Sequence, residues 1–342
     1  MAVSFLQFMP LVQSHAQTPS PDQSLEPTLP ASEESSDAER ERAIEISREL
    51  SSRQQAIENM QSEQGIYSPA LQEAYSDLAA FYNEIEDYPS AVSLLSDALQ
   101  VARINTGLYS EQQLPVILSL IDSNEKMKQW QEIDDLQQLS YHISSRLFSV
   151  GASGYLAAAE QYGSWKLRLL RENLLEMNYR AYSDTASQLS RFYESVISNV
   201  EMQPGSDPAD LLNIIYGKSE ADFTIARSVA STPYTAFEGT ENPYINQTRC
   251  QNVRNTSGQI VRQCVNVRIE NPRYRQSQRY AKQLEMNRHA QSMRHSIERL
   301  EGIKSESKLL SSSDRQALEM RIAQMQTDFD QLMQLSRRGR LF

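Results

Sequence analysis

Residues 65–68 read Gly-Ile-Tyr-Ser, and residues 107–110, 42 positions later, read Gly-Leu-Tyr-Ser. The apolar residues behind the two phrases keep the same offset, since Leu120 lies 42 positions after Leu78. Self-similarity at a fixed period of about 20–50 residues is typical of solenoids, in which stacked helical hairpins share one continuous core. The scarcity of glycine, at 11 of 342 residues, also favours long helices. The sequence therefore predicts a mostly α-helical array.

The first copy of the repeat has large and small residues at helical spacing. They are Tyr75, Leu78, Ala79, Tyr82, Tyr88, Ala91, Leu95 and Ala98. The alanines allow two paired helices to approach closely, and Tyr88 stands at the turn between them. This pattern resembles the tetratricopeptide repeat over roughly residues 65–148, in the longer 42-residue variety of kinesin light chains rather than the usual form of about 34 residues. The resemblance implies a scaffold that binds protein partners.

The second copy is degenerate. Leu120 and Trp130 match the first copy, but Ile121, Ile133 and Ser140 stand where it has alanines. Region 37–148 is thus predicted to hold an N-terminal helix (37–60) and two repeats. Region 149–240 reads as further helices, and these are either divergent repeats or ordinary helical packing.

The N-terminus partly matches a secretory signal. Residues 1–16 are moderately apolar and end in Ser-His-Ala, a small-x-small cleavage pattern, but the first basic residue is Arg40. Residues 17–36, rich in Pro, Ser and Glu, predict a disordered linker. We expect a periplasmic or secreted protein, with a cytoplasmic location as the alternative. No stretch approaches the roughly 20 apolar residues of a membrane span.

Region 241–272 predicts a β-hairpin. If residues 256–258, Thr-Ser-Gly, form its turn, Cys250 faces Cys264 across the strands, close enough for a disulfide. The alternative is a pair of free thiols in a cytosolic protein. One face of the second strand is apolar and is expected to pack on the body of the protein; it comprises Val261, Val265, Val267 and Ile269.

Region 273–342 predicts a C-terminal helical hairpin of coiled-coil character. Its narrow apolar stripes comprise Leu284, Met293, Ile297 and Leu300 on the first helix, and Leu318, Ile322, Met325, Phe329 and Leu332 on the second. The arginines of this region include Arg273, Arg275 and Arg279 in the first helix. Without a nucleic-acid-binding motif they are weak evidence for nucleic acid.

Charge is distributed unevenly along the chain. Residues 1–150 carry a formal charge of −15, residues 151–240 carry −4, and residues 241–342 carry +8. The acidic half is either an ordinary solvated helical surface or a surface that attracts a basic partner. Such a partner could be the C-terminal third of this chain or of a neighbouring copy in a homo-oligomer.

Residue patterns typical of catalysis are missing from the sequence. His15, His142, His289 and His295 have no second ligand at metal-binding spacing, and no nucleophile elbow or phosphate-binding glycine loop occurs. We therefore expect no enzyme, cofactor or metal. The favoured hypothesis is a protein-interaction scaffold of the bacterial cell envelope or a secreted one. The alternatives are a structural subunit of a larger assembly and, less favoured, an enzyme with an unrecognised site in 150–240.

Overall fold

The computed structural model describes residues 31–205, 207–307 and 310–338. The predicted signal segment, residues 1–16, and the first part of the predicted linker lie outside the described residues. Helix α1 begins at Ala31 and ends at Gln64. Residues 31–36, which we expected to be linker, are therefore helical.

The chain divides into two units, residues 1–53 and 54–342. The described part of the first unit is the N-terminal portion of α1, which is mostly exposed and carries the surface ion pair of Arg53 with Glu49 at 2.7 Å. The last turns of α1 belong to the second unit, where Ile57 is buried. Among the described residues, no helix is long and apolar enough to cross a membrane.

Four helices of the second unit carry the repeats. They are α2 (Ala70–Glu84), α3 (Tyr88–Thr106), α4 (Gln113–Lys126) and α5 (Trp130–Leu147). Each packs against the next, so the helices form a stack in chain order. Helices α2 and α4 end 42 residues apart, and α3 and α5 begin 42 residues apart. The sequence period is thus also the period of the structure.

The loops repeat as well as the helices. Gly65 and Gly107 have φ angles of 88° and 86°, and Glu86 and Lys128 have φ angles of 63° and 57°. A positive φ is unfavourable for side chains other than glycine and occurs mostly in tight turns. Two different residues adopt this conformation at equivalent turns because the adjoining helices impose it. The second copy therefore keeps the backbone of the first although its side chains have diverged.

Most of the repeat residues singled out in the sequence are buried. The buried ones are Tyr75, Leu78, Ala79, Ala91, Leu95, Ala98 and Leu120, whereas Tyr82, Tyr88 and Trp130 are half-buried. Ala91 and Ala98 have no exposed surface, in keeping with close contact between paired helices. In the second copy, Ile121 and Ile133 are buried at the positions of alanines, so the diverged copy retains an apolar core.

The rest of the helical body is built from five more helices. They are α6 (Ser153–Glu172), α7 (Tyr179–Glu201), α8 (Leu212–Ser231), α9 (Pro272–Glu306) and α10 (Ser312–Arg338). A single apolar core runs through all five, and α9 packs on α8 as well as on α10. The C-terminal pair is therefore part of this body rather than a separate hairpin. Leu284, which we placed in its apolar stripe, is 57% exposed.

Tyr193 lies at the centre of this core. Its ring fits between Gly163 of α6 and Gly217 of α8. A methyl group at either glycine would come within 2.3 Å and 2.5 Å of the tyrosine oxygen, respectively. These two glycines are therefore required by close packing, because any side chain there would displace the ring.

The strands β1 (Tyr244–Arg254) and β2 (Ile260–Glu270) form an antiparallel hairpin. Cys250 pairs with Cys264, as the turn position predicts, and their Sγ atoms are bonded at 2.07 Å with Cα atoms 4.0 Å apart. The expectation that the apolar face of β2 packs on the body is wrong for Val261 and Val265, which are 41% and 48% exposed. Val267 and Ile269 of the same face are half-buried.

Candidate functional site

A groove of about 500 Å³ lies between the last turns of α1 and the helices α2 and α3. Its walls include Ile57 and Leu78, which are apolar and buried, while Glu58 and Ser93 are exposed at its rim. The groove lining is therefore mixed, with apolar and polar side chains in similar proportion. An open cleft of this kind between helices can accept a peptide segment or a helix.

Two tyrosines of the repeat pattern line the groove and are held by glutamines of α1. Gln61 Nε2 donates to Tyr75 Oη at 2.7 Å, and Gln54 Nε2 donates to Tyr82 Oη at 3.1 Å. These bonds fix the tyrosine rings across the helix interface. The side chains that the sequence identified as repeat core thus serve both the core and the groove surface.

The repeat region that contains the groove is acidic as a whole. Residues 54–148 contain 14 acidic and 4 basic residues, for a net charge of −10. Two of the acids, Glu125 and Asp134, are paired with Arg168 and Lys166 of α6 at 2.7 Å. The remaining excess produces a negative potential that favours a basic partner and speeds its approach at low salt.

The repeated phrase exposes its apolar side chains. Ile66 and Tyr67 are 60% and 49% exposed, and Leu108 and Tyr109 are 67% and 46% exposed. The glycines of the phrase fix the turns, whereas its large residues contribute little to the core. Tyr109 instead contacts the exposed ring of His142, whose Nε2 lies 3.3 Å from Tyr109 Oη.

A second open pocket, of about 580 Å³, has aromatic walls. Tyr141 of α5 stacks on Tyr162 of α6 with ring centroids 5.4 Å apart, and Phe192 of α7 meets Tyr141 edge-on at 5.1 Å. Burial raises the pKa of Tyr141 above its ordinary value, so the phenol stays neutral. Rigid, half-buried aromatic rings of this kind are frequent at protein interfaces.

A third feature is a cluster of charged side chains buried between α7, α8 and α9. Asp222 is fully buried, and its two carboxylate oxygens have different partners. Oδ2 accepts from Lys218 Nζ at 2.8 Å and from Ser292 Oγ at 2.6 Å, while Oδ1 accepts from Ser190 Oγ at 2.9 Å. His289 Nδ1 lies 3.5 Å from Oδ1. A buried carboxylate with this many donors is well satisfied.

The partners of the cluster set its protonation. Burial raises the pKa of Asp222, but hydrogen bonds from His289, Lys218 and Ser292, with the lysine charge, outweigh burial and leave the pKa below its ordinary value. Burial lowers the pKa of His289, but hydrogen bonds to Asp222 and Glu285 outweigh it and raise the pKa. Both side chains therefore favour their charged forms.

This cluster is better suited to holding helices together than to catalysis. The ammonium of Lys218 lies between the carboxylates of Asp222 and Glu194, at 2.8 Å and 3.6 Å, so its charge is compensated. His289 has a carboxylate beside each ring nitrogen, with Glu285 3.4 Å from Nε2. Neither Lys218 nor His289 presents a basic lone pair to Ser292, and the Asp222 carboxylate that accepts its hydroxyl proton is a weak base because its pKa is lowered.

Sequence reasoning missed this cluster. Its members come from three helices, and its only oppositely charged pairs at a spacing of four residues are Lys218–Asp222 and Glu285–His289. That spacing is the one signal in the sequence that points to the cluster. Among the described residues, no group of three or more His, Cys, Asp or Glu side chains could hold a metal ion.

Comparisons with known proteins found similarity to solved structures only at low TM-scores. No protein-family model and no curated protein matches the chain. It is similar to the crystal structure of nearly identical TPR-like repeats from Podosopora anserina, in a protein assigned as a kinesin light chain. The two sequences are 12% identical, the TM-score is 0.35, and the similarity covers 55% of this chain and 79% of that one. The crystal structure of a variant of that protein gives 12% identity and a TM-score of 0.34, and the similarity covers 55% of this chain and 78% of that one. These values carry no conclusion about function.

Proposed function

We propose that this protein is a non-catalytic protein-interaction scaffold, and that the groove between α1, α2 and α3 binds a basic segment of a partner protein. The observation that carries the proposal is the groove itself, with its mixed lining and its fixed tyrosines, in a repeat region whose net charge over residues 54–148 is −10. The apolar side chains of the groove supply affinity, and the complementary charge of the repeat region supplies orientation and a fast association rate.

We further propose that the stack belongs to the 42-residue tetratricopeptide variety of kinesin light chains. The identical helix offset and the recurring positive φ angles at Glu86 and Lys128 support this assignment. The role of the groove does not depend on the variety, because any stacked array of helical hairpins presents an extended surface to a partner.

Export to the periplasm or the cell exterior is a further part of the proposal. The bond between Cys250 and Cys264 supports it, because both residues are exposed and an exposed disulfide persists only in an oxidising compartment. Thiol alkylation of the native protein taken directly from cells tests this point. Two unreactive cysteines are expected, and rapid modification of both would contradict export.

The groove is tested by a matched pair of substitutions on α3. Ser93→Arg places a long cation at the rim of the groove, whereas Ser96→Arg alters an equally exposed serine that does not line it. Both variants should melt like the wild type, because neither side chain is part of the core. The partner retained by the tagged wild-type chain should be lost with Ser93→Arg and kept with Ser96→Arg. Equal retention by both would contradict the role of the groove.

A structural subunit is the second candidate. The hairpin of β1 and β2 favours it, because the exposed valines Val261 and Val265 could be covered by a fixed neighbour. The two candidates differ in stoichiometry. A scaffold releases its partners on dilution, whereas a subunit purifies with a constant set of neighbours at fixed ratios. Mass measurement of the purified material before and after dilution distinguishes them.

A further inference from the structure

Strand β2 is amphipathic, and among the described residues β1 alone pairs with it. Its odd-numbered face carries Val261, Val265, Val267 and Ile269, and its even-numbered face carries Arg262, Arg268 and, at the end of the strand, Glu270, which is paired with Arg275 at 2.7 Å. Val267 and Ile269 are half-buried, and the other residues of the strand are exposed. The valine face and the arginine face therefore both end at an open strand edge.

The hydrogen-bond pattern shows which backbone groups are available at that edge. Asn255 N–H donates to the carbonyl of Gln259 at 2.9 Å, so the odd-numbered pairs of this register exchange hydrogen bonds. The short Cα distance of 4.0 Å between Cys250 and Cys264 marks an even-numbered pair that does not. The N–H and C=O groups of the even-numbered residues of β2 consequently point outward, where an added strand can pair with them.

A second copy of the hairpin does not fit this face. Strands of 11 residues give a face roughly 36 Å long and 10 Å wide, or about 350 Å² per copy, well below the roughly 800 Å² per partner of a stable interface. The two strands also carry four arginines and a single acidic residue, Glu270, which is already paired with Arg275, so two copies would repel each other. The charge favours an acidic occupant.

We propose that the outer edge of β2 docks an extended segment of another protein, in which apolar and acidic residues alternate. Added as a third strand, the segment continues the valine face with its own apolar side chains and places its carboxylates beside Arg262 and Arg268. Cross-strand pairs of both kinds are stabilising, and the backbone ladder supplies the remaining affinity. The disulfide holds the two existing strands in register. This site is separate from the groove of the repeats.

Two proline substitutions test the edge. Thr248 and Asn266 are partners across the strands, and both have outward-pointing N–H groups, on β1 and β2 respectively. Proline removes that N–H and is tolerated at an open edge. Thr248→Pro and Asn266→Pro therefore make the same chemical change on opposite edges, and both lose the side-chain hydrogen bond between these residues, which is 2.6 Å long. An absence of reactive thiols in both variants shows that the hairpin remains intact.

The probe is a fluorescently labelled nine-residue peptide of alternating Glu and Val, titrated with the full, oxidised chain and followed by anisotropy. We expect Asn266→Pro to weaken binding at least about tenfold, through the lost bond and the steric block of the ring, and Thr248→Pro to change it less than about twofold. A peptide of alternating Lys and Val should not bind. Ser93→Arg in the groove should leave binding of the Glu–Val peptide unchanged. A failure of the proposed strand site can then be distinguished from a failure of the proposed groove site.

Three results would overturn the proposal. One is equal loss of binding in the two proline variants, and another is equal binding of the Lys–Val peptide. The third is binding of the wild type to vesicles containing phosphatidylserine with no binding of the Glu–Val peptide, which would assign the hairpin to a membrane surface instead.

Discussion

Replacing Lys218 with Met should destabilise the body formed by α6 to α10, because it leaves the carboxylate of Asp222 buried without its main counter-charge. Asp222 has no exposed surface, and Lys218 Nζ is 2.8 Å from it. The methionine fills nearly the same volume, so packing changes little. The expected loss is therefore electrostatic, and it can be estimated from the energetics of buried ion pairs.

Removing one partner of a buried pair costs about 3–5 kcal/mol. The low end applies here, since Asp222 keeps the hydroxyls of Ser190 and Ser292 as hydrogen-bond donors. A loss of about 3 kcal/mol lowers the melting temperature by roughly 6–12 °C, at 2–4 °C per kcal/mol for domains of this size class. Adding Asp222→Leu removes the stranded charge but leaves Ser190 and Ser292 without their acceptor, so the double variant should regain only part of the loss.

The assay is urea unfolding of the full chain at pH 7, followed by circular dichroism. Arg171→Met is the control, because the pair of Arg171 with Glu220, at 2.9 Å, is solvent-exposed and should change the free energy of unfolding by less than about 1 kcal/mol. A change below 1 kcal/mol for Lys218→Met would refute the reasoning, as would a double variant less stable than the single one.

Three further predictions concern the repeat, the cluster and the hairpin. Ala91→Arg should unfold the repeats, because a long charge cannot be desolvated at a fully buried position, whereas Glu111→Gln at an exposed helix start should not alter helicity or melting. The pKa of His289 is raised on folding, so protonated His289 stabilises the folded state fully below about pH 6.5, and this contribution is lost as pH rises through the raised pKa. In His289→Gln the free energy of unfolding should therefore fall less over that pH range than it does in the wild type. Non-reducing digestion should give one linked peptide pair, and Cys250→Ser should leave Cys264 reactive to alkylation, whereas unlinked peptides would contradict the disulfide.

Local features of the fold were predictable from the sequence. The register of the hairpin follows from its turn, because once Gly258 closes the turn every cross-strand pair is fixed, including the two cysteines. The helix boundaries of the repeats follow from the glycines and from the spacing of apolar residues. In each of these cases the determining residues are neighbours in the chain.

Features that depend on contacts between distant segments were not predictable. The alternation of residues in β2 shows that one face of the strand is apolar. Whether that face contacts the helical body depends on the direction in which the hairpin leaves the body, and Val265 is exposed. The charge cluster joins Ser190, Asp222 and His289 from three helices. No local pattern indicates such a meeting, because each residue alone reads as an ordinary polar position on a helix.

Site-specific photo-crosslinking tests the central claim, that the groove binds a protein partner, most directly. A photoreactive amino acid is placed at Ser93, at the rim of the groove, or at Ala80, which is exposed on α2 away from it, in cells that naturally make the protein. We predict a defined crosslinked partner from position 93, competed by excess unlabelled wild type, and none from position 80. No crosslink from position 93, or the same products from both positions, would contradict the claim.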